Sequence, residues 1–507
     1  MSSRALACRA DTAVADDLSG CLSYERLLVG AMVLAREFDR LPARNVGLLL
    51  PASVAADVAF LGLHLAGKVP VVLNWTTGPK NLEHAARTMQ LGHLVSSQKF
   101  LDRLQVSIPG VKPLLIEELR STAKQVDLAR LLIRVRWRHG AIRSEVTKVS
   151  PDDPAVVLFT SGSEKAPKAV PLTHRNLISN IRGGVDALQL EGTDSFIGFL
   201  PPFHSFGLTV TTLAPLLCGL RVVHHPDPTD AASLVRKVAA YKVTALTGTP
   251  TFVSYMLNKV KSNELKSVRL ILVGAEKCPQ VIFDRCRELA PNAAVLEGYG
   301  ITECSPVVAV NAPGAARPGT VGKPLPGVEV CVIDPEGDAP LDHGQVGMLL
   351  VRGPNIFPGY VGHDGPPPFR ERDGKRWYVT GDLVELDREG FIRFAGRLKR
   401  FLKAGGEMLS LEALEGPLAQ QYPPTEQGPR VAVEGVETEG GGCKIVLFST
   451  VEVSLQEANA QLHQHGFRGV MRLHEVRRVN AIPVLGTGKT DYKVLRSQVV
   501  GPAETMT

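Results

Sequence analysis

Leu158-Phe-Thr-Ser-Gly-Ser-Glu-Lys-Ala-Pro-Lys-Ala-Val-Pro-Leu-Thr-His174 runs from apolar residues into hydroxyls, one glycine and two lysines, and back into apolar sequence. The run Ala155 to Phe159 reads as a buried strand, and a helical pattern begins behind Thr173, a good N-cap. The loop between them offers Thr160, Ser161 and Ser163, the backbone of Gly162, and the cations Lys165 and Lys168. Amides and hydroxyls lining a concave loop can hold phosphate oxygens while lysines offset their charge. A plain surface turn would use the same residue types, so the neighbouring sequence has to choose between the two readings.

Outward from this loop, between Asn45 and about Asn311, short β-branched runs alternate with helical segments. Val46–Leu50, the helical Val54–Gly67 and Val69–Leu73 form one unit. Phe196–Leu200, the helical Gly207–Leu217, Arg221–His224 and the helix Ala231–Tyr241 form another, continued by Val243–Leu246, Arg269–Val273 and Ala294–Leu296. Such alternation predicts an α/β fold of mainly parallel sheets covered on both faces, with ligands at the carboxyl ends of the strands. Beyond Asn311 proline and glycine become dense, and Val328–Ile333 and Met348–Val351 predict a small antiparallel, barrel-like piece. The basic segment Arg397-Leu-Lys-Arg-Phe-Leu-Lys403 precedes a stretch with strand and helix signals of its own. The expected organisation is a core domain at 1–396, a hinge at 397–403 and a small mobile α+β domain at 404–507.

With 507 residues, 44% apolar and 21% charged, the chain has the make-up of a globular protein with more than one core. A net charge of +6 tolerates an acidic partner without requiring one, and nothing points to nucleic acid. The eight cysteines are scattered singles with neither a CxxC pair nor zinc spacing, as in a reducing compartment. Asp11, Asp16 and Asp17 stand where a signal peptide needs an apolar run, and no window approaches a membrane span. The expectation is a cytoplasmic protein. Leu128-Ala-Arg-Leu-Leu-Ile-Arg-Val-Arg-Trp-Arg138 offers peripheral contact with the inner face of a membrane, against the plainer reading of an exposed helix with one packed face.

Two matches mislead. Pro483-Val-Leu-Gly-Thr-Gly-Lys-Thr490 ends like a P-loop, but proline replaces the first glycine and little chain follows to build a nucleotide-binding sheet. Lys489 on that glycine-flanked loop can still reach a site from a mobile domain. His225 and Asp230 match the HxxxxD spacing of glycerolipid acyltransferases, yet His225 follows a strand and Pro226 and Pro228 interrupt the motif, so the match reads as accidental.

The remaining motifs are mutually consistent. Gly298-Tyr-Gly-Ile-Thr-Glu-Cys-Ser-Pro306 follows a predicted strand and puts an aromatic face, a hydroxyl and a carboxylate on one loop. Tyr378-Val-Thr-Gly-Asp382 puts a carboxylate in a turn, where it can accept hydrogen bonds from a ribose diol. With the Thr160 loop, Gly396-Arg397 and Lys489, they supply phosphate donors, a purine platform, a ribose acceptor and a metal carboxylate. Those are the parts of an ATP site.

In their order along the chain these motifs resemble the adenylate-forming (AMP-binding) superfamily. Thr160–Ser163 with Pro167-Lys168 is similar to its phosphate loop, Gly298–Glu303 to its GYGxTE element and Tyr378–Asp382 to its (Y/H)xTGD. Gly396-Arg397-Leu-Lys399 is similar to its hinge motif and Gly488-Lys489 to its catalytic lysine. Within the superfamily, Phe159–Glu164, Leu73-Asn-Trp75, Lys80-Asn-Leu82, Gly274-Ala-Glu-Lys277 and Gly405-Gly-Glu-Met-Leu-Ser-Leu-Glu412 resemble the acyl-[acyl-carrier-protein] synthetase half of bifunctional 2-acylglycerophosphoethanolamine acyltransferase/acyl-ACP synthetases.

The resemblance implies the ANL adenylating-enzyme fold and a two-step reaction. A fatty carboxylate attacks the α-phosphate of ATP, with Mg²⁺ present, and the thiol of acyl carrier protein then takes the acyl group from acyl-AMP. It assigns the β- and γ-phosphates to Thr160, Ser161, Gly162, Ser163 and Lys168, and the adenine to Gly274, Ala275, Glu276, Tyr299 and Gly300. Asp382 and Arg397 would hold the ribose, Glu303 the metal, and Thr302 the α-phosphate. Lys489 would bridge carboxylate and α-phosphate, His204 in Leu200-Pro-Pro-Phe-His-Ser-Phe-Gly207 would border the acid, and rotation at Lys399 would withdraw Lys489 for the second step. The alternatives are the same chemistry ending on coenzyme A, or a binding module with weak turnover. Lys165 and Ala169 stand where the family has glycine, and the Ala169 methyl is expected to hinder backbone approach to the nucleotide.

Overall fold

A computed structural model of the chain describes residues 11–121, 125–137, 149–160, 167–404, 407–425, 427–438, 442–469, 471–485 and 489–500. Its largest sheet runs, edge to edge, Lys323–Pro324, Val307–Val310, Ala294–Gly300, Leu270–Gly274, Ala245–Gly248, Ser195–Gly198, Arg221–His224, Thr12–Asp16 and Gly20–Ser23. From Ala294–Gly300 to Thr12–Asp16 the neighbours are parallel, and antiparallel strands close both ends. A second sheet runs Lys112–Leu115, His93–Ser96, Asn45–Leu48, Val69–Val72, Pro154–Thr160 and Lys168–Thr173, parallel except for the final hairpin.

The strand Leu270–Gly274 shows why the apolar runs are continuous. Every position is buried: Leu270 and Leu272 pack with Phe196, Val210 and Leu296 on one face, and Ile271 and Val273 with Val238, Phe252 and Ile282 on the other. Burying such side chains contributes roughly 1.5–3 kcal/mol each, which favours a strand wedged between two helical layers. Capping fixes the helix starts. Ser53 caps Val54–Leu65, and Thr173 with Asn176 forms a reciprocal capping pair at His174–Leu188.

Three elements depart from the sequence reading. Lys168–Thr173 is a strand, so the phosphate-loop candidate is the tip of a hairpin with Thr160 opposite Lys168. Its Pro171 is tolerated because the strand lies at a sheet edge, and it masks the strand in the sequence. Thr12–Asp16 and Gly20–Ser23 add an unforeseen edge to the larger sheet. The segment Phe206–Leu213 is wound as π-helix before Ala214–Cys218 continues as α-helix. Among the described outer strands of the two sheets, Lys112–Leu115, Lys168–Thr173 and Lys323–Pro324 each begin with lysine and contain a proline.

An antiparallel sheet of Glu329–Ile333, Val346–Arg352, Lys375–Leu386, Phe369–Arg372 and Ile392–Arg397 follows. Beyond the turn Leu398–Arg400 come the hairpin Phe401–Ala404 with Glu407–Ser410, and a three-stranded sheet of Val431–Thr438, Gly442–Ser449 and Glu475–Arg478. Helices Leu411–Gln421, Leu455–Gln464 and Tyr492–Val500 accompany them, and two apolar clusters here, around Leu414 and Phe448, draw only on residues beyond Arg397. Helix Gln125–Trp137 buries Leu131 and Val135 against helix Tyr24–Asp39, with Arg136 3.1 Å from Glu25, as an exposed helix with one packed face does. Among the described residues no helix is long and apolar enough to cross a membrane.

Candidate active site

Ser195–Gly198, Leu270–Gly274 and Ala294–Gly300 share one strand direction, so the loops that follow them emerge at one end of the sheet and bring His204, Glu276 and the pair Thr302–Glu303 to the same side. Gly300 closes the strand where the chain doubles back, with Ile301 N donating to Pro306 O at 2.9 Å. A side chain there would start 2.3 Å from the Pro306 carbonyl oxygen, so only glycine permits the turn. Thr302 and Glu303 then fall in one 3₁₀ turn, Thr302–Cys304.

Thr302 Oγ1 lies 3.2 Å from Ser205 Oγ. The buried Glu303 accepts the Tyr360 hydroxyl at 2.7 Å, and its carbonyl accepts Phe357 N at 2.9 Å. The Tyr360 ring lies beside Lys168, whose Nζ is 4.7 Å from the ring centroid, and Val361 N donates to Ala169 O at 3.0 Å. The segment Phe357–Val361 thus ties the Glu303 turn to the hairpin that carries Lys168. Sequence reasoning missed Tyr360, Ser205 and Thr251. The only signal for Tyr360 is an aromatic residue held in Phe357-Pro-Gly-Tyr360.

Asp382 does not sit in a turn, as its sequence suggested. It lies within the long strand Lys375–Leu386, opposite Arg397, at a bulge where Thr380 Oγ1 donates to Leu349 O at 2.8 Å and accepts Asp382 N at 3.0 Å. The bulge aims the carboxylate inward. Asp382 is buried, accepts the Tyr299 hydroxyl at 2.5 Å and has Arg397 Nε 3.5 Å from its second oxygen. Burial pushes the Asp382 carboxyl up, and Arg397 and the Tyr299 hydrogen bond pull against it.

Lys489 arrives from the far end of the chain. Val484 pairs with Thr490, Leu485 N donates to Lys489 O at 2.7 Å, and Asp491 N donates to Pro483 O at 2.7 Å. The preceding sheet strand, Glu475–Arg478, ends before Pro483 and the loop closes on itself through the Val484–Thr490 bridge, so it does not spring directly from a strand as a P-loop does. Lys489 stands within electrostatic reach of Arg397, Glu276, Asp382 and His204. Burial and then Arg397 lower its ammonium to about 8, while Glu276 and Asp382 act in the opposite sense. His204 is lowered to about 3, by burial first and then by Lys489, so its ring is neutral near pH 7, and its Nε2 is buried with no hydrogen-bond partner among the described residues. Glu276 accepts the Thr251 hydroxyl at 2.9 Å; burial raises its carboxyl and Lys489 opposes the rise. This carboxylate therefore faces the lysine as well as belonging to the Gly274–Glu276 segment.

The structure brings together His204, Glu276, Asp382, Arg397 and Lys489, joins Tyr299 to Asp382, and links Glu303 through Tyr360 to Lys168. Thr160 and Lys168 flank the hairpin tip, while Ser161, Gly162, Ser163 and Lys165 lie outside the described residues. Lys399 lies in the turn Leu398–Arg400. The Ala169 methyl is packed in the apolar cluster with Val157 and Phe159, so the hindrance expected from it has no basis in the fold. His225 Nε2 is 3.5 Å from Asp230, which caps helix Ala231–Tyr241 by accepting Ser233 N, a structural arrangement at a helix start. Among the described residues no three His, Cys, Asp or Glu side chains form a self-contained metal centre. A lone Glu303 still fits Mg²⁺, which commonly takes one or two carboxylates and completes its shell with phosphates and water.

Known proteins are similar to this chain over nearly its whole length. A long-chain-fatty-acid–CoA ligase of Escherichia coli O157:H7 is 28% identical over 495 residues, covering 91% of this chain and 86% of that protein. A 4-coumarate–CoA ligase of Pinus taeda is 27% identical over 468 residues, covering 90% and 85%. The O-succinylbenzoate coenzyme A synthetase of Bacillus subtilis, solved in complex with AMP, matches with a TM-score of 0.83 at 21% identity, covering 99% of this chain and 97% of that one. The α/β core, the antiparallel sheet and the small C-terminal part thus have the fold of the adenylating enzymes. The family model for AMP-binding enzymes matches residues 4–361, well over half of the sequence, and the chain belongs to the AMP-binding enzyme family.

Proposed function

We propose that this enzyme activates a fatty acid with ATP, forming acyl-AMP and pyrophosphate, and passes the acyl group to a phosphopantetheine thiol, with coenzyme A as the acceptor. ATP and Mg²⁺ are its cofactors. The observation that carries the reading is the approach of Lys489 to Glu276, Asp382, Arg397 and His204. A cation so placed neutralises charge where carboxylate and α-phosphate join, and it does so without reorganisation because it is already in position. An ammonium near 8 is mostly protonated at neutral pH, as that role requires.

His204 supplies a neutral ring whose free Nε2 is suited to holding the acid's carboxylate. Asp382 and Arg397 take the ribose hydroxyls, Tyr299 gives its ring to the adenine while its hydroxyl is engaged by Asp382, and Thr302 meets the α-phosphate beside Ser205. Thr160, Lys168 and the loop Ser161–Ser163 take the outer phosphates. Glu303 would hold Mg²⁺, which supplies charge to offset the departing pyrophosphate. Residues 1–396 and 404–507 act as two bodies joined at 397–403, and turning at Lys399 withdraws Lys489 to admit the thiol.

The acceptor follows the long-chain-fatty-acid–CoA ligase that is 28% identical over 91% of the chain. A second reading, acyl carrier protein, is favoured by the likeness of Phe159–Glu164, Gly274–Lys277 and Gly405–Glu412 to acyl-ACP synthetases. The test is pyrophosphate release with ATP, Mg²⁺ and a panel of fatty and aryl acids, run with coenzyme A, with holo-acyl carrier protein and with neither. Multiple turnovers with a fatty acid and coenzyme A are expected. Turnover with the carrier protein alone would replace the acceptor, and the absence of acid-dependent release would refute the ligase.

A further inference from the structure

The turn Leu398–Arg400 is gripped from both sides. On one side Arg397 ends its strand opposite Asp382, with Nε 3.5 Å from the carboxylate. On the other, Arg400 is bound by residues that all follow it in the chain. One terminal nitrogen lies 3.2 Å from Glu415 and donates to Val433 O at 2.8 Å, and the guanidinium carbon stands 3.4 Å from the centroid of the Tyr492 ring. Glu415 also accepts the Tyr492 hydroxyl at 2.5 Å and Val433 N at 2.8 Å. The side chains of Arg400 and Glu415 are only 12% and 16% exposed, so breaking the pair strands a charge largely removed from water. Gly396, at φ +138°, lets this half come close: a side chain there would begin 3.2 Å from the Glu412 carboxylate and 3.1 Å from the Phe401 ring. Between the two arginine anchors lie only Leu398 and Lys399.

The far end of the Arg400 grip is the informative one. Tyr492 opens the last helix three residues after Lys489, and the loop carrying that lysine is closed just before it by Asp491 N on Pro483 O. Among the described residues Arg400 Nε has no hydrogen-bond partner, and the group is held through an outer nitrogen and by its stacking on the ring. A lysine could keep the charge but could not stack a planar cation on Tyr492.

We propose that Arg400 is a positioning residue that fastens the turn at 398–400 to the foot of the Lys489 loop, so that rotation at Leu398–Lys399 carries the lysine in and out as part of one rigid body. This rests on the ligase reading above. The rate depends on Arg400 through Lys489, because small displacements of a catalytic group cost large factors in rate.

The test follows adenylation as acid-dependent ATP–pyrophosphate exchange, for Arg400→Lys and Tyr492→Phe, each alone and combined with Lys489→Ala, with thermal melting to establish folding. Arg400→Lys is expected to lower the exchange kcat about tenfold and Tyr492→Phe about threefold, with KM for ATP and acid within about twofold. Combined with Lys489→Ala, neither change lowers the residual rate further, because the group they position is gone. Equal losses with and without Lys489, or unchanged kcat in folded variants, would overturn the proposal. Tyr492→Phe removes a single hydroxyl and decides the matter if Arg400→Lys fails to fold. A wild type without acid-dependent exchange would refute the ligase and this role together, whereas an active wild type with indifferent variants would refute this role alone.

Discussion

Replacing Asp57 by asparagine tests a charge pair buried in the core. Asp57 Oδ2 and His224 Nε2 are 2.7 Å apart, with side chains 3% and 0% exposed, and His224 Nδ1 lies 3.3 Å from Gly198 O. Burial alone would lower the imidazolium of His224, but the Asp57 carboxylate, with help from the Gly198 carbonyl and Asp16, reverses this and raises it. Asp57→Asn keeps the shape and removes the charge; an imidazolium stranded in the core costs at most about 3–5 kcal/mol, a loss limited by release of the His224 proton. With the proposed unit 1–396 unfolding together at roughly 2.1 cal/mol/K per residue, the unfolding entropy is about 0.8 kcal/mol/K and its Tm falls by up to about 4–6 °C. The loss depends on pH in a defined sense. Because the folded value is raised, the pair's stabilisation is complete below about pH 6.5 and is lost as pH climbs through the folded value. Scanning calorimetry of both proteins between about pH 6 and pH 10 will therefore show the widest gap at the acid end, narrowing toward the ~1 kcal/mol of a single hydrogen bond. A gap that does not change with pH, or one below about 1 °C throughout, would refute the buried charge pair.

Lys489→Ala will reduce acid-dependent pyrophosphate release by about 10²–10³-fold, the usual loss for a preorganised charge-stabilising group. In the unmodified enzyme, kcat/KM for adenylation will fall as pH rises through about 8, because the lysine value is lowered to about 8 and the charged form does the work; a rate that keeps rising beyond that point would exclude the assignment. Tyr360→Phe removes the hydroxyl that orients Glu303, and a titration of activity against Mg²⁺ will show half-saturation shifted upward by about tenfold. Ala169→Gly will destabilise by about 1 kcal/mol, since its methyl is packed in the core, and will not raise kcat/KM for ATP; a gain in ATP use would restore the idea that this methyl crowds the nucleotide.

Residues whose neighbours are close in sequence were the readable ones. Arg221–His224 and Ala231–Tyr241 were legible because apolar run, Asp230 cap and helix period coincide within a few residues. Lys168–Thr173 was not, because Pro171 argues against a strand until its place at a sheet edge is known. Asp382 could be singled out from Tyr378–Asp382, but the bulge that aims it depends on Leu349, some thirty residues away, and leaves no local mark. Tyr360 acts on Glu303 from 57 residues away and Thr251 on Glu276 from 25, and a lone tyrosine or threonine carries no pattern to betray that. Lys489 is legible as the end of a failed P-loop and from the likeness of Gly488-Lys489 to the superfamily's catalytic lysine, but its nearness to Glu276 is a product of the whole fold.

The outer strands of the two large sheets bear on how copies of this chain meet. An unpaired strand edge is a template on which a second chain can lay its own strand, and it is a common route to aggregation. Here Lys112–Leu115, Lys168–Thr173 and Lys323–Pro324 each place a cation and a residue without an amide hydrogen on that edge, and part of Lys168–Thr173 is already taken up by Val361. Two copies brought edge to edge would find broken donor rows and like charges facing each other. Self-association through added strands is discouraged at these three edges, whereas the fourth outer strand, Gly20–Ser23, carries neither a lysine nor a proline.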